Sequence, residues 1–127
     1  MRTREIPHSQ WGSFFSDFTD VHRGEHINVE TIGGEDQVVK SRLRDLPLVG
    51  IVSAQPNAEQ EEWIDVMACD ASGAHASYSI ANPSNVRLAE EENGEAVALQ
   101  VDSAGSSITM IRFEPPRENM PPGFIIS

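Results

Sequence analysis

Trp11, Phe14, Phe15, Phe18 and Val21 fall at i, i+3, i+4, i+7 and i+10, one stripe of a helix with about 3.6 residues per turn. The spacing predicts an amphipathic helix over residues 8–22. Pro7 suits its first turn, and Gly24 after His22-Arg23 suits the left-handed residue just past its end. The aromatic stripe is read as the face that buries against a sheet; the alternative reading is a ligand-binding face.

After Gly24 the apolar period drops to two, the mark of strands. Glu25–Ile32 and Val38–Leu46 flank a turn-rich Gly33-Gly34-Glu35-Asp36, which predicts a hairpin. A three-residue loop at 34–36 pairs Thr31 with Val39, Val29 with Ser41 and Ile27 with Leu43. The other face then carries Glu30/Lys40, Asn28/Arg42 and His26/Arg44. That register is preferred because a one-residue slip moves every side chain across the sheet and would set Lys40 beside Val29. Pro47–Val52, Trp63–Cys69, His75–Ile80 and Val86–Glu90 are further short strands. Gly50 marks a bulge in the first of these, and Asn82-Pro83-Ser84 a bend between the last two.

The last hairpin is Ala96–Ser103 with Ser107–Phe113, aligning Val97/Phe113, Leu99/Ile111 and Val101/Thr109 on one face. Its other face holds Ala98, Met110 and Ile108, so it is not cleanly polar; barrel curvature or partner contact accounts for that. Pro115, Pro116, Pro121 and Pro122 end the pattern, since proline lacks the N–H that a helix interior or a central strand needs. Residues 1–113 therefore read as one domain, and residues 114–127 as a proline-rich tail, a linker or a docking arm carrying Phe124-Ile125-Ile126. The fold expected is α+β and mainly β: the N-terminal helix, then a six- to seven-stranded antiparallel small barrel or bent sheet. An Sm-like or SH3-like arrangement fits that element order by analogy alone.

Charge narrows the functions. The 127 residues carry 9 basic and 20 acidic side chains, a net of −11. Residues 51–127 hold 12 of the acids against 3 bases. Nucleic acids and anionic membranes both need cations opposite them, so neither is an expected partner. No apolar run nears the roughly 20 residues of a bilayer span, and a single cysteine leans toward a reducing compartment; the expected location is cytoplasmic. Eight arginines to one lysine in so acidic a chain fit a high-salt habitat or an arginine-favouring codon bias.

Few motifs carry chemistry. His22-Arg23-Gly24-Glu25-His26 has the letters of the inverted zinc-protease motif, but that motif needs both histidines on one continuous helix, and Gly24 interrupts it. Cys69 with Asp70 and His75 lacks the cationic surroundings that activate a thiol. Glu59-Glu61-Glu62 and Glu90-Glu91-Glu92 lack the alternating oxygens and glycine bend of a calcium loop. No catalytic residue, metal ligand or cofactor is assigned. Lys40, Arg42 and Arg44 form the one basic stripe, read either as an anion-binding face or as solvated cations paired across the hairpin.

Thr3-Arg4-Glu5-Ile6-Pro7 with Trp11, Phe14 and Phe15, then Leu46-Pro47-Leu48-Val49-Gly50-Ile51, then Leu99, Val101, Ser103, Gly105, Thr109, Arg112 and Phe113, resemble a family of short bacterial proteins with no assigned activity. The resemblance implies a shared fold over residues 3–113 and carries over no catalytic residue; the tail after Glu114 departs from it. The function expected first is a non-enzymatic protein-interaction or self-association module, acting on a protein partner or as a homo-oligomer. The second is a small-ligand or anion-binding domain, or a weak enzyme, using a pocket between helix and barrel. Sm-like RNA binding is the third.

Overall fold

A computed structural model describes residues 2–33, 38–54, 61–104 and 107–113. Strand β1 (Arg2–Ile6) leads through a short 3-10 turn (His8–Gln10) into helix α1 (Trp11–His22). Seven strands follow: β2 (His26–Ile32), β3 (Val39–Ala54), β4 (Trp63–Cys69), β5 (His75–Ala81), β6 (Pro83–Glu90), β7 (Ala96–Ser103) and β8 (Ile108–Phe113). All pair antiparallel in one eight-stranded sheet, ordered β1-β6-β7-β8-β2-β3-β4-β5. β1 and β5 are its two ends, so the sheet is open and has eight strands, where a small barrel or bent sheet of six or seven strands was expected. The unexpected strand is β1, whose five residues include one buried apolar side chain, Ile6, too little alternation to register as a strand. In addition, the runs Val38–Leu46 and Pro47–Val52 are one strand rather than two.

That strand, β3, divides the sheet into two leaves. Its first half, Val39–Pro47, pairs with β2, and its second half, Leu48–Ala54, pairs with β4. At the changeover the chain leaving α1 extends the ladder by two bonds: Gly24 N–H donates to Leu48 O and Leu48 N–H to Glu25 O, both at 2.9 Å. Gly24 has φ +91°, the left-handed stop expected of it. Further on, the Ile51 N–H donates to Thr19 Oγ1 at 3.0 Å. The helix thus supplies an acceptor where a strand partner is missing.

The helix buries Trp11, Phe15, Phe18 and Thr19, while Val21 is 73% exposed. Val21 is therefore not part of the buried stripe that the spacing assigned to it. The docking face is turned toward Thr19, which β3 engages. Beneath the rings lie Ile27, Val29, Leu48, Ile51, Ile64, Val66, Leu99 and Ile111. The Trp11 indole N–H donates to Ile6 O at 2.9 Å, so the ring is buried with its polar atom satisfied. On the opposite face of the sheet a second cluster holds Ile32, Ala89, Val97, Ala98, Ile108 and Met110.

The two hairpins treat their predicted registers differently. In β7/β8, Leu99 faces Ile111 and Val101 faces Thr109 as expected. Val97 and Phe113 do not share a face: a register shift near Ala89/Glu90 sends Val97 to the second cluster, while Phe113 stays in the first. In β2/β3 the predicted register fails. Thr31 pairs with Lys40 and Glu30 with Ser41, then Val29 with Leu43 and Ile27 with Leu46. Arg42 is an extra residue opposite no partner, and Arg44-Asp45 together face Asn28. Asp45 takes φ +52°, with its N–H on Asn28 Oδ1 and its carboxylate 2.7 Å from His26 Nδ1. The loop at 34–36, the acidic residues 55–60, residues 105–106 and the tail at 114–127 lie outside the described residues. No described helix is long and apolar enough to cross a membrane.

Two stability tests follow from these contacts. Thr19→Val keeps the volume but strands the buried Ile51 N–H, which costs about 1–3 kcal/mol and lowers the urea midpoint without changing the slope. The β4–β5 turn depends on Asp70, whose Oδ1 accepts from Ser72 N–H, Ser72 Oγ and Ala74 N–H. The Ser72 hydroxyl first, then the Ala74 N–H, hold this carboxyl below its ordinary value of 3.8. A lowered carboxylate pKa stabilises the fold above the unfolded value and loses that contribution as pH falls through the folded one. The wild type should therefore exceed Asp70→Ala in urea midpoint at neutral pH, with the gap narrowing below pH 3.8.

Candidate functional site

The bulges in β3 redistribute the basic stripe. Strict alternation would keep Lys40, Arg42 and Arg44 on one face, but each extra residue shifts the side chains that follow it. Lys40 and Arg42 line a cavity of about 460 Å³. Arg44 lines a separate hollow with Asn28, Glu30, Val39 and Ser41. The sequence reading of the stripe is thus split: two members meet and the third lies apart.

The cavity lies where the two leaves diverge. One wall is the start of β3 with Thr31 and Ile32 of β2, and the other is Tyr78–Ala81 of β5. Its end is closed by Asn82, Ser103, Ala104, Ser107 and Thr109. The Ala104 N–H donates to Asn82 O at 3.1 Å, tying the β5–β6 corner to the β7–β8 turn. Asn82 holds that corner with φ +50°, a conformation asparagine tolerates better than most residues. Thr31 and Thr109 pair directly across β2 and β8 and are both buried in the wall.

Arg42 is held on two sides. Its Nε donates to Thr31 Oγ1 at 2.9 Å, and its guanidinium carbon stands 5.4 Å from the centre of the Tyr78 ring. The hydrogen bond and the cation–π contact orient the guanidinium plane. They leave its two terminal amino groups without a protein partner among the described residues. Lys40 and Arg44 likewise carry no carboxylate partner among the described residues. The other described arginines all have one: Arg2 and Arg4 on Glu90, Arg23 on Asp20, Arg87 on Asp102 and Arg112 on Glu30. Among the described residues the cavity lining includes no Asp or Glu. In a chain with 20 acids against 9 bases, two cations without an acidic neighbour in one hollow are a local exception to the overall charge.

The remaining sequence candidates do not converge. His22 Nδ1 lies 2.7 Å from Glu25 Oε2, and its ring packs against Phe18 and Phe113. His26 instead faces Asp45 across the hairpin. Cys69 and His75 are partners in the β4/β5 register, and no hydrogen bond joins them. The Glu62 carboxylate lies 2.7 Å from His8 Nε2, whose N–H it accepts in the tautomer that carries one there, and Glu90 receives Arg4 at 2.9 Å. Among the described residues no three His, Cys, Asp or Glu side chains gather as metal ligands. The β3–β5 cavity lies away from the helix; between α1 and the sheet, where sequence reasoning put a pocket, there are separate grooves of about 380 Å³ beside β3 and about 310 Å³ beside Leu88 and Glu90.

Chemically, the β3–β5 cavity can hold an anion against one lysine and one preoriented arginine, surrounded by hydroxyl and amide groups. At about 460 Å³ it falls within the usual range for small-molecule sites. The residues that orient Arg42, Thr31 and Tyr78, were missed by sequence reasoning. Tyr78 is the sole tyrosine, but nothing in the sequence tied it to Arg42. The chain matches no protein-family model and no curated protein sequence.

Proposed function

We propose that this domain is a non-catalytic binding module for a small anion-bearing ligand, seated in the cavity between β3 and β5. One observation carries the reading: Lys40 and Arg42 share a hollow whose described lining holds no carboxylate, and both lack acid partners among the described residues. Unpaired cations are common on surfaces, but a guanidinium fixed from two sides is already ordered. An anion that binds it loses less entropy than one that must immobilise a free side chain. The other expectation, protein contact through the last hairpin, has less to stand on, because Ala98, Met110 and Ile108 are buried within the single chain.

Both cations are solvent-exposed, so each contact is worth about 0.2–1 kcal/mol. A bare anion should therefore bind at about millimolar strength or weaker, since 1 mM corresponds to about 4 kcal/mol. Inorganic phosphate and citrate, titrated into isotopically labelled protein, should shift the Arg42 side-chain and the Thr31 and Tyr78 backbone resonances together. The shifts should saturate, weaken with added sodium chloride and vanish in Arg42→Glu, while glucose moves nothing. If the same resonances move equally in Arg42→Glu, or if neither anion shifts them at low salt, the reading is wrong.

A further inference from the structure

We infer that the ligand of the β3–β5 cavity is an extended peptide with a free C-terminal carboxylate, added as a strand to the edge of β5. The inference rests on the anion-binding reading above and names the kind of molecule that carries the anion. β5 ends the sheet, and it meets the cavity by its edge. Tyr78 packs against the inner core and Ile80 is buried in it, whereas Ser79 and Ala81 lie on the other face, exposed. All four line the cavity. Successive side chains of a strand point to opposite faces, so residues of both faces meet one hollow only along the strand's edge.

That edge carries free backbone groups. The Asn82 N–H donates to Glu62 O at 3.0 Å, one step beyond the Trp63/Ala81 pair of the β4/β5 register. Alternate residues of an antiparallel pair turn both N–H and C=O to the partner strand. Ile80 and Tyr78 therefore bond to β4, while Ala81 and Ser79 turn theirs outward. Among the described residues nothing pairs with them there. The two ends of the sheet are also unlike. β1 carries Arg2, Arg4 and Glu5, charges of the kind that keep edges from pairing. His75–Ala81 has no Asp, Glu, Lys, Arg or Pro, and its register with β4 runs without a bulge. β5 is thus the edge left open to an added strand.

Charge selects the occupant. The β5 strand of a second copy could extend the ladder, but it brings no carboxylate to Lys40 and Arg42, and that copy adds a second net charge of −11. A peptide carboxylate satisfies both cations. Arg42 has its Nε on Thr31 Oγ1, so its two terminal amino groups remain, a fork that matches two carboxylate oxygens. A chain end suits the place better than a chain interior, because Asn82, Ser103, Ala104 and Ser107 close one end of the cavity against a segment running through. The cavity follows β5 from Tyr78 to Asn82, about 13 Å at about 3.3 Å per residue, room for about four residues of added strand.

The test titrates the isotopically labelled full chain with acetyl-Ser-Val-Thr-Val bearing a free C-terminus, its C-terminal amide, and the free acid N-methylated at both central residues. The free acid should shift the Arg42 side chain and the Ser79 and Ala81 amides together, and slow hydrogen exchange at those two amides. It should bind about tenfold tighter than acetylvaline, which offers the carboxylate without the ladder. The C-terminal amide and the N-methylated peptide should each lose about tenfold, as should the free acid on Arg42→Glu. Phosphate reports on the anion site separately. If phosphate shifts Arg42 but the free acid binds no tighter than acetylvaline, or N-methylation changes nothing, the peptide inference falls while the anion site stands. Equal protection of Ser79 and Ala81 by the C-terminal amide overturns the inference as well, because the edge would then take strands without regard to the carboxylate. So does protection that grows with protein concentration in the absence of peptide, because the occupant would then be a second copy.

Discussion

The architecture depends on a hydrogen-bonding constraint in one strand. β3 is sixteen residues long and changes partner midway, from β2 to β4. A buried backbone cannot change partner without stranding donors and acceptors at the changeover. Gly24 and Glu25 extend the first ladder to Leu48, and Thr19 then takes the Ile51 N–H. The helix is therefore part of the sheet's hydrogen bonding as well as its apolar cover. This explains why its buried face includes a threonine and leaves Val21 outside. The same changeover makes the cavity. β4 runs beside β3 only from Leu48 onward, so no strand flanks the Lys40–Arg42 half on that side, and β5 stands off from it across the gap.

Much of this fold was legible in the chain. The aromatic spacing located α1, the glycine after His22-Arg23 its end, and the shift to a period of two the strands. Leu99/Ile111 and Val101/Thr109 fell in register because β7 and β8 alternate without interruption between them. The first hairpin failed for a definite reason. The pattern Val-Lys-Ser-Arg-Leu-Arg-Asp-Leu can be threaded in more than one register, and face polarity was used to choose among them. That criterion assumes that the inner face is apolar along its whole length. Here it is apolar from Leu43 onward, whereas Lys40 and Arg42 face a cavity, so a cation on that side carries no burial penalty. β1 and the open edges escaped notice because pairing between β1 and β6 joins residues eighty or more positions apart, and no local pattern reports it.

The candidate site was half legible. Lys40 and Arg42 stood out as basic residues in an acidic chain, but Arg44 was grouped with them because bulges cannot be read from alternation. Thr31 and Tyr78 gave no sign of their role. Thr31 reads as an ordinary strand residue, and Tyr78 is brought to Arg42 only because β4 and β5 fold back along the second half of β3. Sequence can nominate charges; the partners that orient them come from non-local pairing.

Orientation and charge together narrow what such a site would select. Over distances beyond about 8 Å at physiological salt, the acid excess is largely screened, and the local lining decides the potential. Under the proposed reading, an anion small enough to sit within the hollow would meet two cations and, among the described residues, no carboxylate. A polyanion that bound there would leave most of its charges outside, over a surface whose net charge is −11, and would gain little counterion release from two contacts. Under that reading the surrounding acidity would act as a filter on size, opposing long anionic chains while leaving the cavity open to short ones. Five arginines tied to carboxylates reinforce this, since cations already neutralised cannot extend the patch, and the proposed binding would be confined to the place where Thr31 and Tyr78 hold Arg42.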